Sequence, residues 1–560
     1  MAKVVVKKKP GIRSFSSGGG SSVESSPYRP KLVEKLAPCM DKCPNQTDIR
    51  AIITTISLTE KHERSYAESY QKAFEILAEK NPYPAVCGRV CPHPCESGCN
   101  RQAKEGPVSI NNIERFLGDY ALTNNLKFKV NGERYSERIA VIGSGPAGMS
   151  CAYQLARLGY PVTVFEGFPK TGGMLRYGIP AYRLPREVLD AETQRILDLG
   201  VELKTNTVVG KDVSYQDLQK EYKAIFVGIG AHQGKKLGIP GEDVPNLWTG
   251  TAFLNKINSG QMVEVGDHVV VVGGGDTAID AARVARRLGA KATILYRRTR
   301  TEMPAIKEEI DGAEEEGVEI TLLAAPIEII VKDGLAVGMV CQRMELGEPD
   351  SSGRRRPVPI PGDTFELTCS TIVAAISQEP DFAGFENLRE GRDWIKADER
   401  GHAKIPGVYA GGDDLELGLV TIAIYQGRRA AETIHLELRG LPLPEDMPKL
   451  PVQPQDKLLL TYFQEKLRAE MASLDPATRL ANGDAEITST LTEQQIIEEA
   501  ARCMSCGLCF DCGQCWSYCQ DGAIIKPVIK GQPYSFKMEF CNGCKKCEEQ
   551  CPCGYVEMHL

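Results

Sequence analysis

Twenty cysteines divide unevenly along the chain: six between Cys39 and Cys99, eleven between Cys503 and Cys553, and Cys151, Cys341 and Cys369 between. Cys509, Cys512, Cys515 and Cys519 follow C-x2-C-x2-C-x3-C, and Cys541, Cys544, Cys547 and Cys551 repeat it, with Pro552 next. In a reducing compartment, thiols at such short steps bind metal rather than pair as disulfides. Zinc favours two separated C-x2-C pairs, whereas twin runs of four fit iron–sulfur clusters, which pass single electrons. Frames begun at Cys503 or Cys506 would put Gly513 or Trp516 at the fourth step. Those two cysteines, with Cys553, are therefore expected to be surplus to the runs. The N-terminal set, Cys39, Cys43, Cys87, Cys91, Cys95 and Cys99, is less regular and needs helices between its members to gather it.

The long middle carries glycines at nucleotide-binding spacing. A strand over Ile139–Ile142 runs into Gly143, Gly145 and Gly148, with Pro146 and Ala147 opening a helix; a second strand, Val162 to Phe165, ends at Glu166. The first glycine permits a tight turn, the second lets backbone approach a pyrophosphate, and the third lets helix and strand pack. Glu166 suits a ribose diol. The second such unit has Gly273, Gly275 and Ala278, with Asp276 and Thr277 at its helix start. Its second strand ends in Tyr296, Arg297 and Arg298, with Arg300 close behind, instead of an acid. Arginine presents a planar fork to a 2′-phosphate that an acid would repel, so this site is expected to take NADP(H) over NAD(H). A solvated surface pair is the alternative for Arg297 and Arg298. A third segment, Gly407 to Ala410, delivers Gly411, Gly412 and Asp413 ahead of a helix from about Leu419 that carries Thr421. It resembles the second FAD motif of two-dinucleotide-domain flavoproteins, in which the aspartate meets the ribityl chain; Gly173, Met174 and Gly230 join the same expected FAD site. Cys151, Cys341 and Cys369 read as packed core thiols. No C-x-x-C pair lies in the middle, so electrons leaving a flavin need another exit.

The chain that must position these groups has 560 residues, enough for roughly 3–4 domains. Its 42% hydrophobic and 25% charged content fits a soluble globular protein, and a net charge of −7 argues against a dedicated nucleic-acid binder. No apolar run reaches the roughly 18–20 residues of a membrane span. The basic start, "MAKVVVKKKPGIRSFSSGGG", lacks the apolar core of a secretory signal. Residues 1–30 are expected to be a disordered arm and the protein to be cytoplasmic.

The twin C-terminal runs resemble bacterial two-cluster ferredoxins, in which the fourth cysteine of each run ligates the other cluster. That implies one [4Fe–4S] cluster on Cys509, Cys512, Cys515 and Cys551, and a second on Cys541, Cys544, Cys547 and Cys519. The N-terminal cysteines, "EGPVSINNIERF" after them, and the two nucleotide motifs resemble the glutamate synthase small-subunit family of iron–sulfur flavoproteins from about Pro38 to Ile434. Subunits of NADPH–ferredoxin transhydrogenases and dihydropyrimidine dehydrogenase belong to it too. The resemblance implies an N-terminal cluster held by Cys43, Cys91, Cys95 and Glu114. A second would use Cys39 and Cys99, with two family cysteines upstream missing and Cys87 as a substitute. Seven ligands are then present where two clusters need eight, so one or two N-terminal clusters are expected.

The implied fold is α/β, with two Rossmann-type domains. A helical Fe–S domain (31–130) precedes an FAD domain (131–233 and 376–440), into which an NADPH domain (234–375) is inserted. A Pro-rich connector and helical spacer (441–500) lead to an α+β ferredoxin module (501–560). A family core followed by such a module resembles the flavoproteins associated with dissimilatory sulfite reductase in sulfur-oxidising bacteria. The implied activity is NAD(P)H:acceptor oxidoreduction within sulfur metabolism, with that reductase as the redox partner and a homodimer left open. Hydride transfer to a flavin requires no acid or base, and no catalytic side chain is assigned. The alternatives are the small subunit of a glutamate synthase or transhydrogenase, an enzyme reducing a small molecule at its flavin, and a zinc-stapled interaction protein without redox function.

Overall fold

The computed structural model describes residues 26–390, 394–443 and 449–560. Two five-stranded parallel sheets form its centre. One has the order Val408–Ala410, Ala224–Val227, Ile139–Ile142, Val162–Phe165, Glu202–Lys204. The other runs Glu319–Leu322, Lys291–Tyr296, His268–Val272, Thr371–Ala374, Leu247–Thr249. Five of these strands, including Ile139–Ile142 and Val162–Phe165, are buried at every residue. Helices cover both faces of a parallel sheet, and strands so enclosed read as unbroken apolar runs. The second sheet lies wholly within the gap between Val227 and Val408 of the first, so one nucleotide domain is inserted in the other. The chain crosses twice between them, and the crossings pair antiparallel as Gln233–Gly234 with Gln378–Glu379. An antiparallel meander, Ala324–Lys332, Leu335–Pro349 and Arg355–Thr368, flanks the second sheet. Cys341 and Cys369 lie in the core beneath it, and Cys151 lies in the core of the first sheet.

Seven short helical segments between Pro38 and Thr123 form the N-terminal domain. The Tyr66–Ala78 helix starts at a capping box of Ser65 and Glu68, and the Pro84–Val90 helix opens on proline at its first turn. Among the described residues no helix is long and apolar enough to cross a membrane.

Two expectations need correction. Residues 1–25 of the expected arm lie outside the described residues. The rest of it is not disordered, because Arg29–Leu32 pair antiparallel with Val556–His559 at the other end of the chain. The expected helical spacer is mostly irregular: among its described residues only Pro476–Ala481 and Glu493–Ala500 are α-helical, with two single 3-10 turns, Gln455–Lys457 and Leu460–Tyr462. Residues 444–448 of the Pro-rich connector lie outside the described residues.

Tertiary contacts override local propensity along this spacer. Buried Arg115 donates to Thr490 Oγ1 at 2.9 Å, to Thr488 Oγ1 at 2.9 Å and O at 2.7 Å, and to Glu486 at 2.8 Å. Ile487 N–H donates to Tyr182 O at 3.1 Å, and Arg479 pairs with Glu315 at 2.8 Å. The segment is thus a strap across the N-terminal helices and the inserted domain. Beyond it, the two cysteine runs and the hairpin Ile524–Ile525/Ser535–Phe536 share one small core with Leu32.

Candidate functional site

The carboxyl ends of the first sheet open on a cavity of about 460 Å3. Gly143, Gly145, Pro146 and Ala147 form one wall, and Gly173 and Met174 face them. Gly230, Gly412 and Asp413 close the opposite side. Gly143 has φ +96°, and a Cβ there would lie 2.2 Å from Gly228 O. A Cβ on Gly148 would strike Gly143 O at 2.0 Å, so this glycine serves helix–strand packing. Gly145 differs: a Cβ there would meet nothing nearer than Gly173 Cα at 4.0 Å. Its side of the loop faces the cavity, where a pyrophosphate can approach backbone amides at a helix start. Buried Glu166 accepts from Ser144 N–H at 3.0 Å and Phe168 N–H at 2.7 Å, with its carboxylate on the cavity wall. These features fit an FAD, the ribose diol at Glu166 and the pyrophosphate at Gly145.

Asp413 accepts from Gly418 N–H at 3.0 Å, and burial pushes its pKa up to about 6. His232, which carried no spacing signal, also lines the cavity. Its Nδ1 is buried with no partner among the described residues, and burial lowers its pKa to about 4, so the ring stays neutral. Phe168 stands beside it, with ring centroids 5.4 Å apart.

The second glycine loop repeats the pattern. A Cβ on Gly273 would lie 2.3 Å from Ala375 O, whereas Gly275 has only Pro304 Cγ at 3.9 Å. Asp276 accepts from Ile306 N–H at 3.0 Å, and buried Ala278 packs in the core beneath. A cleft of about 180 Å3 joins this loop to the flavin cavity: Asp276 and Thr277 line one side, and Met174, Asp413, Leu419 and Val420 the other.

The three arginines part company. Arg298 is buried and turned away, donating to Arg355 O at 2.8 Å and pairing with Asp350 at 2.6 Å. Arg300 pairs with Asp311 at 2.5 Å and Glu314 at 2.6 Å. Arg297 is exposed, directly after Tyr296, whose ring would lie 2.6 Å from a Cβ on Gly274. The 2′-phosphate reading therefore narrows to Arg297. Arg297→Ala is expected to raise KM for NADPH by about 10- to 100-fold, the worth of one charge-assisted contact, while leaving KM for NADH nearly unchanged. Arg298→Ala should lower the Tm without altering that preference. Steady-state kinetics with both nucleotides, beside thermal melts, check the pair.

Next to the flavin cavity, Cys43, Cys91, Cys95 and Glu114 line a small buried void. Burial pushes the Glu114 carboxyl up to about 7, against the opposing Asn81 amide, which donates to it at 2.7 Å. His93 N–H points at Cys91 Sγ from 3.4 Å. Thr421, expected on the flavin, lines this void instead, and its hydroxyl is buried with no partner among the described residues. Cys87 lies off it, with its thiol 3.8 Å from Asn81 Oδ1. A second void, lined by Cys39 and Cys99, also holds Cys503 and Cys506, two of the three cysteines surplus to the C-terminal runs. A third is lined by Cys509, Cys512, Cys515 and Cys551, with Cys553 beside Cys551. Burial, and then the neighbouring Cys541 and Cys544 thiols, push the Cys547 thiol up, while Cys519 accepts from Ala523 N–H at 3.3 Å. Among the described residues, no three His, Cys, Asp or Glu side chains converge as ligands of a single ion. Three of the thiol sets instead line voids, which suits a polynuclear cluster.

A family model described as Pyridine nucleotide-disulphide oxidoreductase matches residues 137–427, and one described as dihydropyrimidine dehydrogenase domain II, 4Fe-4S cluster, matches residues 33–126. The NADPH-Fe(3+) oxidoreductase subunit beta of Geobacter sulfurreducens is 37% identical over 514 residues, covering 84% of this chain and 75% of that one. The NADP(+)-dependent formate dehydrogenase subunit beta of Moorella thermoacetica is 39% identical over 458 residues, covering 76% and 63%. The glutamate synthase [NADPH] small chain of Escherichia coli is 35% identical over 394 residues, covering 65% and 82%.

Proposed function

Because the chain belongs to the pyridine nucleotide-disulphide oxidoreductases, as a glutamate synthase small-chain-like iron–sulfur flavoprotein, we propose that it moves electrons between NADP(H) and a protein partner. It is an NAD(P)H-dependent oxidoreductase with FAD, NADP(H) and [4Fe–4S] clusters as its cofactor kinds. Bound FAD supplies hydride exchange with nicotinamide and release of single electrons, which the clusters carry.

One observation supports the route: three sites meet at one helix start. Leu419 and Val420 line both the flavin cavity and the nicotinamide cleft, and Thr421, next in sequence, lines the void of Cys43, Cys91, Cys95 and Glu114. Val90 and Pro92 of the N-terminal domain wall the same cleft, holding the cysteine domain against the nucleotide domains. The chain's residues orient the two nucleotides and exclude water between them; none is needed as acid or base.

For the partner, the ferredoxin-type module after the family core favours a redox protein. We take dissimilatory sulfite reductase, in a cytoplasmic sulfur pathway, as the reading, and a glutamate synthase or transhydrogenase large subunit as the second. The relatives named as beta subunits support a multi-subunit setting. Anaerobic stopped-flow mixing of the NADPH-reduced protein with purified sulfite reductase should oxidise the clusters within seconds. Oxidation by ferredoxin, with sulfite reductase inert as donor and acceptor, would overturn the sulfur reading and leave the oxidoreductase standing.

A further inference from the structure

We propose that Cys503 and Cys506 join Cys39 and Cys99 around one [4Fe–4S] cluster, so that the C-terminal chain supplies half the ligands of a cluster seated in the N-terminal domain. Four thiols complete such a site, and these four line a single buried void. Its volume, about 20 Å3, is similar to that of the void lined by Cys509, Cys512, Cys515 and Cys551. No carboxylate lines it to compete as ligand; the other polar walls are Arg50, Arg101 and Asn100.

The backbone around Cys503 repeats that of the ferredoxin-type runs. In Cys509–Gly513, the residue before the second cysteine and the one after it are left-handed: Asp511 at φ +55° and Gly513 at +81°. In Cys541–Lys545, Gly543 and Lys545 take +77° and +63°. In Cys503–Gly507, Ser505 and Gly507 take +48° and +74°. Non-glycine residues seldom adopt this conformation, so its presence at Ser505, Asp511 and Lys545 marks one loop used three times. The loop aims an amide at sulfur: Ser505 N–H lies 3.5 Å from Cys503 Sγ, as Asp511 N–H lies 3.4 Å from Cys509 Sγ. Asn100 Nδ2 adds a donor to Cys506 Sγ at 3.6 Å. Such hydrogen bonds stabilise thiolate ligands and raise a cluster's potential.

The two chain ends are held together where this requires it. Lys35 N–H donates to Gly507 O at 3.0 Å, Gly507 N–H to Cys553 O at 2.7 Å, and Val33 N–H to Tyr555 O at 2.8 Å. Buried Arg50 donates to Cys506 O at 2.9 Å and Lys35 O at 2.7 Å, and buried Arg101 donates to Arg502 O at 3.1 Å. Both guanidiniums stand at the void, where they favour a net-negative four-thiolate cluster. The site also falls between its neighbours. Cys39 is four residues from Cys43, Cys99 is four from Cys95, and Cys506 is three from Cys509. Each step spans at most roughly 14 Å of extended chain. The cluster would therefore sit between the flavin-side site and the ferredoxin-type pair.

The test is a cluster count on the anaerobically reconstituted full chain by native mass spectrometry, beside iron and acid-labile sulfide assays. The wild type should carry two N-terminal and two C-terminal clusters. The double variant Cys503→Ser/Cys506→Ser should lose about four irons and one EPR-active centre, with FAD retained. Cys369→Ser, in a distant core, should lose none. An unchanged count in the double variant overturns the assignment, as does one zinc per chain bound at these thiols. Should the double variant fail to fold, the wild type decides: three clusters overturn the proposal, and Asn100→Ala should shift the potential of one centre only.

Discussion

Gly145→Val is expected to give a folded, iron-loaded chain that binds no flavin. The residue has φ −70° and ψ 178°, extended backbone open to any residue, so glycine is not demanded there by conformation. A Cβ would have free space to 4.0 Å, so the apo fold accommodates it. What the added methyls occupy is the approach of the pyrophosphate to the helix start. FAD affinity should fall by at least about 100-fold, since contact between phosphate and backbone amides is lost outright. Gly148→Val is the contrast: its Cβ would collide with Gly143 O at 2.0 Å, so it should damage the fold itself. Flavin absorbance per chain, iron per chain and a thermal melt separate the two. A Gly145→Val protein purified with a full complement of FAD would refute the placement of the cofactor.

The same contrast explains what could be read from sequence. Ile139–Ile142, Val162–Phe165 and the helix from Val420 are legible because their signals are local: apolar runs bounded by glycines, and periodicity after them. The insertion of one sheet in the other follows from the order of those units. Arg298 departs from its expected place because a partner 52 residues away, Asp350, holds its guanidinium. The spacer departs from helix because buried Arg115, more than 370 residues distant, binds the Thr488 and Thr490 hydroxyls. The fate of Cys503 and Cys506 was least legible. Asn100 lies 406 residues from Cys506, and nothing in either local pattern names the other. Contacts equally remote in sequence hold the two segments together, Arg50 to Cys506 O and Lys35 N–H to Gly507 O, beside a pairing of Arg29–Leu32 with Val556–His559 too short to carry a register signal of its own.

Cys91→Ala should separate the two halves of the electron route. Cys91 ends the Pro84–Val90 helix and faces the flavin-side void, beside Thr421. The thiol is not needed to assemble the nucleotide sites, whose glycine loops and acids lie on other elements. NADPH should therefore bleach the flavin at close to the wild-type rate, and FAD content should be unchanged. Iron should fall by about four per chain, since a cluster missing one of its ligands is the first to be lost. Delivery to the protein partner should then drop by about 100-fold or more, equivalent to a barrier raised by at least roughly 2.7 kcal/mol. The ferredoxin-type clusters should remain oxidised in the presence of NADPH, which EPR reads directly. Their reduction at the wild-type rate would mean that electrons leave the flavin elsewhere. In that case the convergence of three sites at Leu419–Thr421 would be packing rather than a route.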